Sequence, residues 1–538
     1  MDQMEKRAFL AVVLSLAILI FWQIFFLKKN VPPQEVSAPK TAQPEKQTKK
    51  TEVPQIVEKN TEAPIGASFQ GEKEEEVILE TELYRATFSS YGGTLKSWKL
   101  KKYKNKTGKE GESIELVTQK DPQFYPFFLR FSRPALEYVQ TLPYEIRQQT
   151  PTTITFLYRE RKIKIERTYE LYTDKYEINH TTKIWPQKED FKGDVFLGTS
   201  EGVMDAPKHN ILTAPYADVR NFIFHTQDKT TREKVSDLKE NQEIKSVISW
   251  AGSENQYFIS AFINTSFVKP YLFISSSQLG GGNIELQYPF YREKNEEMFE
   301  LKAKAFFGPK EMGALKAAGS DLEEAINFGV FSVFCIILLK TLNFLYFLIP
   351  NYGVSIILLT VLIRILFHPL TKKSYVSMRE MQRIQPQIAK IKEKFKDDKT
   401  QMNKEVMDLM RANKVNPLGG CLPLLVQMPV FFALYRVLYN AIELYQAPFF
   451  GWIQDLSTKD PYYVLPVLMG ISMFVQQKMT PSTTMDPAQQ KMMLFMPIIF
   501  SFFMVALPSG LVLYILFSTV LQLASQYLVN RDLIKKGL

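Results

Sequence analysis

Two intensely apolar ends enclose a long polar middle, and that division limits what the chain can fold into more than any other feature. Residues 8–27 are nearly all apolar, interrupted only by Ser15 and Gln23. About twenty such residues cross a hydrocarbon core ~30 Å thick. The run is too long and too far from a small-residue cleavage site for an ordinary signal peptide, so an uncleaved anchor is expected. In the C-terminal half, segments 352–370, 418–441, 463–479, 492–507 and 510–529 have span-like length or nearly so. Only Pro508 and Ser509 separate the last two, which predicts a tight antiparallel hairpin.

Charge orients these spans. The net charge is +10, and excess cations suit either nucleic acid or a membrane surface. No RNA-binding signature, zinc-finger spacing or basic recognition helix is present, and much of the basic excess adjoins apolar segments. A bilayer is therefore the expected partner, with no direct DNA binding. Loop 371–417 holds twelve lysines and arginines, whereas loop 442–462 holds only Lys459. Positive-inside bias puts the first loop in the cytoplasm and the second outside. The turn at 478–491 and the basic tail 531–538 then fall inside. The anchor has lysine or arginine at both ends and does not orient itself. Counting back through one span places residues 28–350 outside and the N-terminus inside.

The middle divides again. Residues 28–76 are rich in Pro, Lys, Glu, Thr and Gln and almost free of aromatics, so they bury too little apolar surface to offset chain entropy. A flexible linker is expected there. Residues 77–319 alternate polar and apolar with period two, as in 162–169, and Gly92-Gly93 and Gly280-Gly281-Gly282 punctuate the strands. The strand 176–179 follows the turn-forming Thr173-Asp174-Lys175. A large antiparallel β-sandwich is predicted. Ser320 and Glu323 make a capping-box pattern, which predicts a helix over 320–350. An amphipathic helix at the membrane interface is preferred to a span, because the next span begins almost at once. In the cytoplasmic loop, Met381, Ile384, Ile388, Ile391 and Phe395 recur at helical spacing. Asp397-Asp398 breaks the run, and Val406, Leu409 and Met410 resume it. This is a basic helical hairpin with a thin apolar seam, either a solvated connector or a docking surface.

Two cysteines, Cys335 and Cys421, lie in apolar stretches, so no disulfide framework is expected. There are four histidines and no Cys-x-x-Cys or His-Glu-x-x-His pattern, so neither a metal site nor a cofactor is expected. No phosphate-binding loop occurs, and nucleotide hydrolysis is not expected.

Arg364 is the anomaly. It sits mid-span, between Ile363 and Ile365, where insertion scales put the cost at about 2.5–3.5 kcal/mol. No acidic residue occurs within the five C-terminal spans, so a salt bridge has no candidate. Snorkelling towards the Pro369 end and a water-filled cavity both remain. Thr360 lies one turn from Arg364 on the same face. Tyr514, Ser518, Gln522 and Ser525 form one polar stripe along the last span, and Gln427 stands alone among apolar neighbours. Such residues often serve only to bond helix to helix. Their convergence with an unpaired arginine predicts a hydrophilic groove. Arg436, about one turn from Asn440 and the outer surface, is explained by snorkelling.

Asn416-Pro417-Leu418-Gly419-Gly420-Cys421-Leu422-Pro423, followed by Gln427-Met428-Pro429, resembles the signature of the YidC/Oxa/Alb membrane-insertase family. So do the Arg364 span ending in Pro369-Leu370-Thr371, the Asp460-Pro461-Tyr462-Tyr463 loop, Phe495-Met496-Pro497, and Pro508-Ser509-Gly510-Leu511. The likeness covers about residues 350–530, and the anchor with a β domain resembles the Gram-negative bacterial form. The resemblance implies an inner-membrane protein with a five-span insertase core (351–530), the N-terminal anchor (1–27) and a periplasmic β-supersandwich. It implies no enzyme activity. It further implies a groove open to cytoplasm and lipid but closed outside, with Arg364 in it, which receives hydrophilic tails of nascent membrane proteins. Client apolar segments would slide past Met492, Phe495, Phe502 and Phe503, a surface that equally suits lipid. The implied contacts of hairpin 371–417 and the tail are the Sec translocon, the ribosome and targeting factors. One departure is Ile515 after Tyr514, where relatives often carry a second aromatic, so no client contact is carried over to 515. A secondary transporter would call for intramembrane carboxylates or paired charges, which are absent from these spans. A tethered sugar-processing enzyme would require the β domain for its activity.

Overall fold

The computed structural model describes residues 74–535 apart from 106–110, 162, 187–191, 203–219, 228, 277–280, 292–297, 397, 414, 416–421 and 480–486. The expected anchor 1–27, the linker up to residue 73, the motif at 416–421 with Cys421, and tail residues 536–538 lie outside the described residues.

Alternation in the sequence becomes alternation in burial. Along strand Ile163–Leu171, residues 163, 165, 167, 169 and 171 are buried and the intervening ones are not. This strand pairs antiparallel with Glu177–Pro186, with Leu171 opposite Ile178, so the chain reverses across the predicted turn. The pair belongs to a nine-stranded sheet. Its order is Thr230–Lys234, Asn221–Thr226, Ile248–Glu254, Phe258–Asn264, Phe299–Pro309, Glu177–Pro186, Ile163–Leu171, Thr153–Arg159 and Glu145–Gln149. A five-stranded sheet runs Gln242–Ile244, Tyr271–Ser276, Gly282–Tyr291, Lys192–Glu201, Phe128–Phe131, and a four-stranded sheet covers Glu76–Glu80 to Ser113–Glu115. One apolar core draws on all three sheets, including Trp250, Tyr288 and Trp98. Between strands Tyr84–Ser89 and Thr94–Lys104, Gly92 and Gly93 have φ of +61° and +59°, a left-handed turn that a side chain would strain.

Helix α1 (Met312–Ala318) follows the last strand. The helix predicted to start near Ser320 does not start there. Gly319, Ser320 and Asp321 adopt φ of +81°, +56° and +58°, which turns the chain instead of launching a helix. Asp321 makes no capping bond, and a 3-10 turn at Leu322–Ala325 drops Leu322 and Ala325 into the β core. Helix α2 covers only Ser332–Leu348. Cys335, Leu339 and Leu342 face inward, while Val333, Phe334, Ile337, Phe344 and Phe347 are exposed. The outward face is thus largely apolar, where an amphipathic helix would be polar.

Helix α3 (Tyr352–Lys394) runs unbroken through Pro369 and Pro386, so the expected first span and the first arm of the hairpin are one rod. Asp398 caps α4 (Lys399–Ala412) by accepting from the amides of Thr400 and Gln401. The two arms meet through Ile384, Ile388, Met410 and Val415. Helices α5 (Leu422–Asn440), α6 (Val464–Met479), α7 (Pro487–Met504) and α8 (Ser509–Lys535) complete the core. Among the described residues, α3 and α8 are long and apolar enough to cross a membrane, and α2, α6 and Leu494–Met504 are shorter apolar helices. The hairpin expected of the last two segments is splayed. Helix α7 packs on α6, and α6 packs on α8. The Ser501 hydroxyl donates to the Pro466 carbonyl at 2.6 Å, beside Gly470, where a Cβ would approach the Ser501 oxygen to 2.9 Å.

Candidate functional site

Arg364 points from α3 to α8. Its Nη2 donates to the Ser518 hydroxyl (2.6 Å), the Ser518 carbonyl (2.9 Å) and Gln522 Oε1 (3.1 Å). These acceptors are all neutral, so the arginine gains hydrogen bonds without a countercharge. Only Nη2 of the guanidinium is engaged. Nε and Nη1 have no partner among the described residues, and neither is sealed from the surface. Free charged donors of this kind suit a carboxylate oxygen, one bond from each nitrogen.

The polar stripe on α8 is only partly gathered round this charge. Gln427 Nε2 donates to the Tyr514 hydroxyl at 3.2 Å and ties α5 to α8 one turn away. Ser525 lies half-buried further along α8. Thr360 is not brought to the cluster. Its hydroxyl donates to the Ile356 carbonyl of its own helix at 2.6 Å, and the residue is buried. Tyr375 belongs to the site without having been expected there. It is buried, and its hydroxyl donates to the Gln522 carbonyl at 3.3 Å. The available signal was spacing, since 364 and 375 are three turns apart on one helical face.

The loop between α5 and α6 is built around two buried aspartates. Asp455 accepts from the amides of Gln446 (3.0 Å) and Ser457 (2.8 Å) and from the Ser457 hydroxyl (2.6 Å). Burial raises its carboxyl above the ordinary range, against the pull of those bonds. Asp460 accepts from Trp452 Nε1, from Tyr462 N and from Leu465 N, the last in the first turn of α6. The start of α8 locks onto this loop. The Ser509 hydroxyl donates to the Asp455 and Thr458 carbonyls at 2.9 and 2.8 Å, and Gly510 N donates to the Leu456 carbonyl at 2.9 Å. Phe449 fills the space left by Gly353, where a Cβ would lie 2.0 Å from its ring. Ser518 is nine residues beyond this latch, roughly 14 Å along the helix.

Phe495, Phe502 and Phe503 are exposed along α7. The side chain of Met492 lies outside the described residues. Ile515 is buried in the helical core. Among the described residues, no group of His, Cys, Asp or Glu is placed to hold a metal ion.

Residues 76–341 match the family described as YidC periplasmic domain, and residues 344–536 match 60Kd inner membrane protein. The Membrane protein insertase YidC of Syntrophus aciditrophicus is 39% identical over 553 residues, covering 98% of this chain and 100% of that protein. The protein of the same name in Geobacter metallireducens is 35% identical over 544 residues, covering 98% and 99%. A solved structure described as an active YidC insertase with its first transmembrane domain resolved shares 19% identity. It covers 85% of this chain and 93% of that one, with a TM-score of 0.38. With relatives of that identity spanning nearly its whole length, the chain belongs to the YidC family of membrane protein insertases.

Proposed function

We propose that this chain inserts nascent membrane proteins through a hydrophilic groove that is open to cytoplasm and lipid and closed outside, and that Arg364 receives the client's hydrophilic tail. The half-engaged guanidinium carries this reading: Nη2 is held by Ser518 and Gln522, and Nε and Nη1 are free. A polar tail cannot cross ~30 Å of hydrocarbon unaided, since each unsatisfied backbone group costs several kcal/mol. Water in a half-open groove shortens that distance. The free Nε and Nη1 donors then pair transiently with a client carboxylate. The latch of Ser509 on the Asp455 loop keeps ions from passing while the tail crosses. The client's apolar segment leaves past Phe495, Phe502 and Phe503, whose exposure on α7 suits that path.

In this reading the core has five spans and an N-terminal anchor, with both termini in the cytoplasm. Residues 28–350 are periplasmic, and the β domain is a supersandwich. Helix α4 and the inner half of α3, dense in lysine and arginine, offer the surface for the Sec translocon, the ribosome or targeting factors.

The test is insertion of clients with acidic translocated tails into vesicles reconstituted with the protein. Arg364→Ala should reduce insertion about ten- to hundred-fold, the worth of one charge-assisted pair. Arg364→Lys, which keeps the charge without the fork, should fall between. Unchanged insertion by Arg364→Ala would reject the arginine's role.

A further inference from the structure

The β domain and the outer ends of the helices enclose a cavity of about 500 Å³ that the insertion reading does not use. Its lining includes Tyr103, Tyr346, Tyr352, Tyr445, Glu311 and Glu443. Tyr346 and Tyr352 are stacked, with ring centroids 3.9 Å apart. Glu443 is half-buried, and its Oε1 accepts from Asn343 Nδ2 at 3.3 Å. Burial pushes its carboxyl upward, with the nearby Glu311 adding to the rise. Neither glutamate forms an ion pair among the described residues. Two carboxylates and four tyrosines around one space suit a cationic ligand. Lys102 stands exposed at the same cavity.

We propose that this cavity binds the primary-ammonium headgroup of an ethanolamine phospholipid from the outer leaflet. An –NH3+ group brings three hydrogen-bond donors, which the oxygens of Glu443 and Glu311 can accept, whereas a quaternary ammonium brings none. Lys102 is placed to meet the headgroup phosphate. The lipid source follows from the neighbouring surface. Beside Tyr346 and Pro350, the exposed Phe347, Leu348 and Phe344 of α2 form an apolar wall where acyl chains can lie.

The test uses the full chain in nanodiscs containing ethanolamine, choline and glycerol phospholipids in equal amounts. Lipids that stay bound through detergent extraction are then counted by native mass spectrometry. Ethanolamine lipid should be retained about ten-fold over choline lipid, on the scale of one charge-assisted hydrogen bond. Glu443→Gln with Glu311→Gln should bring the ratio to about one. Glu311→Gln alone, at an exposed position that leaves packing intact, should lower it part of the way. Equal retention of the two lipids, or enrichment that survives the double substitution, would overturn the site. Displacement of the retained lipid by soluble phosphoethanolamine at low millimolar concentration would overturn the lipid assignment in favour of a free amine.

Discussion

A guanidinium in an apolar span needs hydrogen bonds more than it needs a partner charge, and Arg364 obtains them from a serine and a glutamine on the facing helix. The same logic holds at Arg167, buried at the centre of the β domain, whose Nη atoms donate to the carbonyls of Gly92 and Phe127. His180 lies beside it, with Nε2 2.7 Å from the Thr182 hydroxyl. Burial, and then the Arg167 charge, hold the imidazole well below its ordinary range. The native state therefore keeps His180 neutral, while the unfolded chain takes up a proton below about pH 6.5. Stability attached to this residue is complete above that pH and is lost as pH falls below it. Thermal unfolding should show His180→Gln losing less stability than wild type between pH 7.5 and 5.5, by up to about 1.4 kcal/mol per pH unit. Parallel pH profiles would rule this out. Ser509 is the second test at this scale. Its removal leaves the Asp455 and Thr458 carbonyls with one donor fewer in a buried place. Ser509→Ala should cost about 1–3 kcal/mol in detergent-solubilised unfolding and raise proton leak across reconstituted vesicles.

Elements whose environment is regular were readable from the sequence. The strand pair at 163–171 and 177–186 follows from period-two alternation and a turn cluster, and the arms meeting at Ile384, Ile388 and Met410 follow from helical spacing. Two expectations failed for one reason: local pattern was outweighed by distant packing. The capping box at Ser320 gave way because Leu322 and Ala325 fit the β core. The last two spans splay because α6 seats Gly470 against Ser501. Glycine at 353 acts likewise, as a socket for Phe449 that no periodicity reveals. Gly353→Val should expel that ring, loosening the outer loop, and should lower the unfolding temperature of the helical core. An unchanged midpoint, with Trp452 fluorescence as in wild type, would count against the socket.

The whole molecule is an inner-membrane insertase of the YidC family with a β-rich periplasmic domain joined to its helical core by definite contacts. Tyr445 Oη and Gln446 Nε2 both donate to the Lys104 carbonyl, at 2.8 and 2.7 Å, and Gln256 Nε2 donates to the Tyr439 carbonyl at 2.7 Å. Arg364, Ser518 and Gln522, which the structure joins by hydrogen bonds, were legible in the sequence because an unpaired charge and a polar stripe stand out against apolar spans. It missed Tyr375 and the Asp455–Ser509 latch, since those depend on a loop fold and on a helix that continues past a proline. The central claim is that the free Nε and Nη1 donors of Arg364 face water connected to the cytoplasm and not to the periplasm. Thiol labelling at Gln522→Cys tests it most directly, in a chain with Cys335 and Cys421 replaced by alanine and Val520→Cys on the exposed face as the reference. A membrane-impermeant maleimide should label position 522 from the cytoplasmic side, faster than position 520, and not from the periplasmic side. Labelling of 522 from the periplasmic side, or no labelling beyond that of 520 from either side, would contradict the account.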